Sequence, residues 1–322
     1  MKSHRWVTRE HFERAMKACS NWGKWGPDDQ LGTLNYVTPD DVVAAARLVR
    51  TGRVFPLSIP LDNTGPQEPN RFTRRFNPIH TMLATGADVV AGIQGFGDGS
   101  GYADCAISLP TQCSTQWDAL SHVFYDKKMY NGFEAQLVNA NGAAKNGIEN
   151  TLGKMIGRGV LIDVARHRDV LTLDDGEAIT PDDLDACLAA QGVTVRRGDF
   201  VIVRTGQMEG RLARGSWDKY CGGDAPGLSF DTCFWLHERE VAAICIDTWG
   251  CEVLPNETNF DFIQPWHAVV IPAMGITMGE IFYLKDLAED CAKDRVYEFM
   301  FTAPPLNITG GCGSPITPLA VK

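Results

Sequence analysis

Four short apolar runs carry most of the regular pattern in this chain. VFPLSIPL (54–61) alternates and predicts a strand, and GVLIDVA (159–165), DFVIVRTG (199–206) and AAICIDT (242–248) predict three more. Helical stretches separate them. Thr38-Pro39-Asp40-Asp41 supplies an N-cap, a first-turn proline and two first-turn acids, and DVVAAARLVRTG follows with Gly52 as its stop. TPDDLDACLAAQG (180–192) repeats that opening, DTCFWLHEREV predicts a further helix, and HAVVIPAMGI and FTAPPLNITG close the pattern. Strands alternating with helices imply an α/β domain around a buried mixed or parallel sheet. No repeat or low-complexity linker divides the chain, so residues 1–322 read as one domain. GIQGFGDGSGYAD (92–104) is glycine-dense but matches neither a dinucleotide nor a phosphate loop, and reads as a cover or tight turn region.

Composition narrows the function class. With 44% hydrophobic and 22% charged residues the chain has ample core, and a formal net charge of -10 without any basic run argues against nucleic acid. No apolar stretch approaches the length of a membrane span, and the first twenty residues lack the apolar centre of a signal peptide. The ten cysteines are scattered without a CxxC pair, which reads as reduced, mostly buried thiols in a cytoplasmic protein. In that compartment the sequons at Asn256 and Asn307 are idle.

The densest chemistry lies in SLPTQCSTQWDALSHVFYD (108–126). Gln112, Ser114, Gln116 and Asp118 share parity, so an extended strand would aim them at one face. At about 3.3 Å per residue, Gln112 and Gln116 would stand roughly 13 Å apart, so convergence needs a bend near Cys113 and Ser114. Gln116 and Asp118 can tilt together directly, whereas Asp118 and His122 need a turn between them. Spacing alone leaves two readings open: a metal or catalytic centre, or a hydrogen-bonded polar network beside Trp117 and Phe124. Elsewhere, His80 in NPIHTM is a candidate extra imidazole for substrate or metal, presented by a loop. His237 starts HEREV but lacks a second histidine four residues on, so it reads as helix surface, and His4, His11 and His167 read as surface.

The same segment resembles the signature His-x-Gly-Thr-His-x-Asp-x-Pro-x-His of the putative cyclase family, which includes kynurenine formamidase, isatin hydrolase and metal-dependent trans-dienelactone hydrolase. Here it stands as Gln112-Cys-Ser114-Thr115-Gln116-Trp-Asp118-Ala-Leu120-Ser-His122: Thr115, Asp118 and His122 match, while Gln112, Ser114, Gln116 and Leu120 depart. FVIVRTG, APGLSFDTCFWLHEREVAAICIDT, WHAVVIPAMGITMGEIFYLKDL and PLNITGGCGSPITPLAV resemble the family in its order. The likeness covers residues 105–321 as the family core, with 1–104 as a decorated N-terminal region similar to a longer branch. It implies the swivelling β/β/α cyclase fold, a mixed central sheet with flanking helices.

The resemblance further implies one divalent ion, Mn²⁺ or Zn²⁺. Asp118 carries over as ligand, His122 as general acid/base, and His267 and Glu280 as a pair approaching from the C-terminal part. Gln112 and Gln116 occupy ligand positions but offer only neutral amide oxygens, weaker donors than imidazole. The expected ligand set is therefore Asp118 and His267 with Gln116 and Gln112 as weak members, and Glu280 as ligand or base. The expected reaction is hydrolysis of an amide, cyclic amide or lactone of a small ring-containing compound, with Trp117, Phe124 and Tyr125 walling the pocket. Two alternatives stand beside it: a metal-free cyclase or isomerase in which Asp118 and His122 exchange protons and the glutamines hold an oxyanion, and a silent small-molecule binding protein. A homodimer or higher homo-oligomer is expected, with no nucleic-acid or membrane partner.

Overall fold

The computed structural model describes residues 6–68 and 74–322. One nine-stranded mixed sheet organises the chain. Apart from two pairs of two-residue strands, the strands in chain order are β1 (Val54–Pro56), a separate pair β2 (Ile79–Ala84) and β3 (Asp104–Ser108), then β4 (Gln116–Asp118), β5 (Ile156–Asp163), β6 (Phe200–Arg204), β7 (Ala243–Ile246), β8 (Thr277–Glu280), β9 (Glu298–Thr302), β10 (Gly313–Pro315) and β11 (Leu319–Val321). The spatial order across the large sheet is β1-β11-β9-β5-β6-β7-β8-β4-β10. The four strands β5 to β8 run parallel, and antiparallel strands extend the sheet on both sides. Each predicted strand is present. The one from 54 to 61 is confined to Val54–Pro56, and GVLIDVA ends in a helical turn over Val164–His167.

Strand alternation sorts the core into two layers. Val160, Ile162, Val201, Val203, Ile244, Ile246 and Met278 face one layer, shared with the helices Arg9–Ala18, Pro181–Gln191 and Thr232–Glu238. Leu161, Phe200, Ile202, Ala243 and Cys245 face the other, against the helix Lys285–Asp294. A continuous run of buried residues on both faces is the mark of covered parallel strands. Thr38 and Thr180 both form the capping box that their sequences predict, and Gly192 closes its helix in the left-handed region at φ +71. The run HAVVIPAMGI is not a strand: it is a buried helix over Pro265–Ala268 that widens into a π-helix over Val269–Met274 around Pro272, which has no N–H to give.

Eight of the ten free cysteines are buried, Cys105 is exposed and Cys312 intermediate. Among the described residues no helix is long and apolar enough to cross a membrane.

Candidate active site

The polar segment bends where its spacing requires. Residues 111–115 turn, with the Cys113 amide donating to the Pro110 carbonyl, before β4 begins at Gln116. A second turn, closed by His122 N to Ala119 O, folds His122 back toward Asp118. On β4, Trp117 points into the Leu161 layer, so Gln116 and Asp118 point to the opposite face. Across the ladder Gln116 pairs with Glu280 and Asp118 with Met278, which sets Glu280 on that same face.

Gln116 Nε2 donates to Glu280 Oε2 at 2.8 Å and, more weakly, to Asp118 Oδ1 at 3.5 Å. Glu280 Oε1 lies 3.3 Å from His267 Nε2, and His267 Nδ1 meets Glu252 Oε1 at 2.5 Å. Glu252 also accepts the main-chain N–H groups of Trp266 and His267, so one carboxylate caps the start of this helix and orients its imidazole. On the other side, His122 Nε2 is 3.7 Å from Asp118 Oδ1, and its Nδ1 faces the Gln112 amide at 3.3 Å. Gln112 is tied by its own Nε2 to the Cys312 carbonyl.

Backbone strain sits beside these groups. Ile281, directly after Glu280, has φ +61, an uncommon conformation for a β-branched residue. Thr115 Oγ1 donates to the Ile281 carbonyl at 2.6 Å and accepts the Ile59 amide. The threonine that matches the family signature therefore clamps the turn that aims Glu280.

Burial governs the charges. Asp118 is pushed up to about 6 by desolvation, with Glu280 adding to the rise and His122 and Arg75 opposing it. His122 is lowered, again by burial first; Asp118 pulls the other way, and Arg75 and His267 add to the lowering. Burial alone would lower His267, but its bonds to Glu252 and Glu280 prevail and raise it to about 10. At neutral pH the arrangement thus holds a neutral His122 and a cationic His267 between two glutamates.

Asp118, His122, His267 and Glu280 form the floor of a cavity of about 730 Å³, a volume suited to a small ligand. Its walls include Trp249, Leu254, Pro255, Phe262 and Ile263, and Arg75 is the one Lys or Arg among its described lining residues. The Arg75 guanidinium lies over the Trp249 ring at 5.8 Å, with Nη1 on the Gln112 carbonyl and Nη2 3.4 Å from His122 Nε2.

The structure thus brings together Asp118, Gln116, Gln112, His122, His267 and Glu280. It does not bring in the expected aromatic wall. Trp117 is fully buried on the other face, packed edge-on to Phe282 and Phe301 with its Nε1 donating to the Ala303 carbonyl. Tyr125 packs on Phe12 and Phe262 and opens to a separate groove, and Phe124 is exposed outside the cavity lining. His80 lies in β2, not a loop, paired with Ile107 and solvent-exposed away from the cavity. His237 is half-buried in its helix and His167 is exposed, but His11 is half-buried, stacked on Phe234 and paired with Asp231; His4 lies outside the described residues. Arg75, Trp249, Glu252 and Phe262 were invisible to motif reading, because each reaches the site by tertiary placement from a loop with no local pattern of its own.

Among the described residues no three His, Cys, Asp or Glu side chains stand as a ready metal cage. Gln116 accounts for this: its amide N–H group occupies the space between Glu280 and Asp118, while its buried Oε1 has no donor. Turning that amide about its last torsion would aim Oε1 at two carboxylates, an arrangement only a cation between them stabilises. With His267 deprotonated at Nε2, the set Asp118, Glu280, His267 and Gln116 Oε1 has the N/O character that Mn²⁺ or Zn²⁺ accepts, so the donors fit such an ion once the amide turns.

Comparison with known proteins follows the same lines. The profile of the family described as Putative cyclase matches residues 55–253. A crystal structure described as a novel cyclase is 40% identical, covers 95% of this chain and 99% of its own, and superposes with a TM-score of 0.85. Isatin hydrolase A from Labrenzia aggregata, bound to benzyl benzoate, is 18% identical over 87% of this chain and 97% of its own, with a TM-score of 0.61. A potential metal-dependent hydrolase with cyclase activity is 17% identical over 83% of this chain and 98% of its own, with a TM-score of 0.52. A comparison with curated proteins finds no match. By profile, by sequence and by fold, this chain belongs to the putative cyclase family.

Proposed function

We propose that this protein is a hydrolase that opens an amide, cyclic amide or lactone in a small, ring-containing compound. The observation that carries the reading is the convergence of Asp118, Glu280, His267 and a neutral His122 on the floor of one aromatic-walled cavity. Neighbours of the same fold described as isatin hydrolase and as a metal-dependent hydrolase support the reaction class, not the substrate.

Asp118, Glu280, His267 and Gln116 Oε1 would hold the divalent ion. Such an ion polarises a substrate carbonyl and makes water a stronger nucleophile near neutral pH. The chain's own residues do the rest. His122, neutral and edging the cavity, takes the proton of the attacking water and returns it to the nitrogen or oxygen that leaves as its bond to the carbonyl carbon breaks. The Gln112 amide, 3.3 Å from Nδ1, holds the imidazole in place, and the Arg75 charge, 3.4 Å from Nε2, disfavours a second proton on the ring. Arg75 also offers its charge to an oxygen of the substrate, stacked on Trp249 so that it needs no further ordering. Trp249 and Phe262 receive a flat ring.

A second reading is favoured by the Gln116 bridge itself. If the amide stays between the carboxylates, Asp118 and His122 form a metal-free acid–base pair suited to cyclisation or isomerisation. Steady-state kinetics on a panel of lactones, formamides and cyclic imides test the proposal. Wild-type turnover of at least one member, with kcat lowered a hundredfold or more in His122→Ala, supports hydrolysis. Binding of a panel member without turnover would make the protein a silent receptor.

A further inference from the structure

Among the described residues, two side-chain amides line the cavity, Asn256 and Gln264. Asn256 is spent. Its Nδ2 donates to the Phe262 and Ile263 carbonyls at 2.7 and 2.9 Å, and its Oδ1 accepts the Thr258 amide and hydroxyl at 3.1 and 2.7 Å. Gln264 is not. It stands at the capping position of the helix that carries His267, but its side chain makes no cap bond. Glu252 takes the Trp266 and His267 N–H groups that such a cap serves. The half-buried Gln264 amide is thus left facing the cavity, with donor and acceptor both unused by the described residues.

Gly250 keeps the space beside that amide open. A Cβ there would stand 3.8 Å from Gln264 Nε2 and 3.9 Å from His267 Cε1, so the amide and the edge of the imidazole border the same small volume. A ligand group that meets Gln264 therefore lies next to the floor.

Donor and acceptor side by side distinguish Gln264 from every other unspent polar side chain of the described lining. Ionised carboxylates such as Asp224 and Glu280 only accept, Arg75 and the Trp249 indole only donate, and a histidine carries its two nitrogens on different edges of the ring. A ring amide has the matching edge. In a small ring the amide is held cis, so its N–H and C=O point the same way, and two parallel hydrogen bonds join it to a primary amide. An open-chain secondary amide is trans, with N–H and C=O on opposite sides, and its cis form is rare. A lactone has two acceptors on that edge and no N–H, which leaves Gln264 Oε1 facing an ester oxygen.

We propose that Gln264 is a specificity-determining residue, which selects cyclic amides over lactones and open-chain amides. The inference rests on the reading of this cavity as the site of a small ring-containing compound. Both hydrogen bonds lie in the plane of the ring amide, so the faces of its carbonyl carbon stay open to attack.

Isothermal titration calorimetry of the chelator-treated full chain tests it with three probes of like size. They are isoindolin-1-one, phthalide, in which oxygen replaces the ring N–H, and N-methylbenzamide, the open-chain counterpart. The expected result is that wild type binds isoindolin-1-one about tenfold or more tighter than either of the others. In Gln264→Leu that ratio falls to within about twofold, while the affinity for phthalide stays near the wild-type value. The Gln264 side chain holds neither cap nor partner, so the variant folds, and near-ultraviolet circular dichroism serves as the control. Equal binding of the three probes by wild type, a ratio kept in Gln264→Leu, or a parallel loss of affinity for all three in the variant would overturn the proposal. So would a wild type that binds none of them. Because binding is read without turnover, the expected preference in a protein that hydrolyses nothing would count against hydrolysis and for this role of Gln264.

Discussion

Gln116 Nε2 stands 2.8 Å from Glu280 Oε2, joining two residues that are cross-strand partners but 164 positions apart in sequence. A histidine at this position would offer a ring nitrogen to an ion. The glutamine instead offers an N–H to a carboxylate and leaves its oxygen buried without a donor. One side chain thus decides whether an amide N–H or an ion-accepting oxygen stands between the two carboxylates.

Gln116→His removes the amide bridge and restores an imidazole donor. The expected outcome is Mn²⁺ or Zn²⁺ binding at least tenfold tighter than wild type by isothermal titration calorimetry. Equal affinity in the two proteins would mean that position 116 does not face the ion.

In the metal-free protein the buried carboxyls should make acidification from pH 8 to pH 5 stabilising, against the opposite contribution of His122, which burial holds below its ordinary value. Asp118, Asp199 and Asp247 are each pushed up to about 6, chiefly by burial. A carboxyl raised above its unfolded value contributes stability that is complete below that ordinary value and is lost as pH rises through about 6. His267 adds the same sign, its contribution being lost only as pH climbs toward about 10. Thermal midpoints of chelator-treated protein across this range check the slope, and Asp118→Asn should flatten it near pH 6. Because an ion competes with protons on Asp118 and His267, its affinity should rise as pH is raised from 5 to 8.

Glu252→Gln keeps the shape beside His267 but removes the carboxylate charge that faces Nδ1, and with it the force that fixes the ring. A 10- to 100-fold loss of ion affinity is expected, with His267 titrating lower in the metal-free protein by NMR. A change in melting temperature alone, with the titration unmoved, would leave Glu252 a purely structural cap.

Trp117→Ala and Trp249→Ala should separate core from wall. The first empties a fully buried site and should cost about 3–5 kcal/mol of stability by denaturant unfolding. The second should raise KM with a smaller loss of stability, because Trp249 lines the cavity and carries Arg75.

The strands at 159–165, 199–206 and 242–248 were legible because fully covered parallel strands are written as unbroken apolar runs. The two bends that gather Gln112, Asp118 and His122 were legible too, since an extended chain cannot bring those groups together. What the sequence hid depends on tertiary placement. Trp117 sits between two site residues, and only the parity of β4 sends it to the other layer. Glu252 and Arg75 reach the site from loops distant in sequence, where no periodicity marks them. The glycine-dense stretch at 92–104, legible as a cover or a tight turn region, forms turns, but the β2–β3 hairpin, exposed on both faces, leaves no alternation from which its orientation could be told.

The most direct test measures initial hydrolysis rates on the lactone, formamide and cyclic imide panel with chelator-treated protein, before and after addition of Mn²⁺ or Zn²⁺. Turnover that the ion restores in wild type and cannot restore in Asp118→Asn is the expected result. Turnover indifferent to chelator and ion alike, or an ion that binds without any hydrolysis following, would contradict the account.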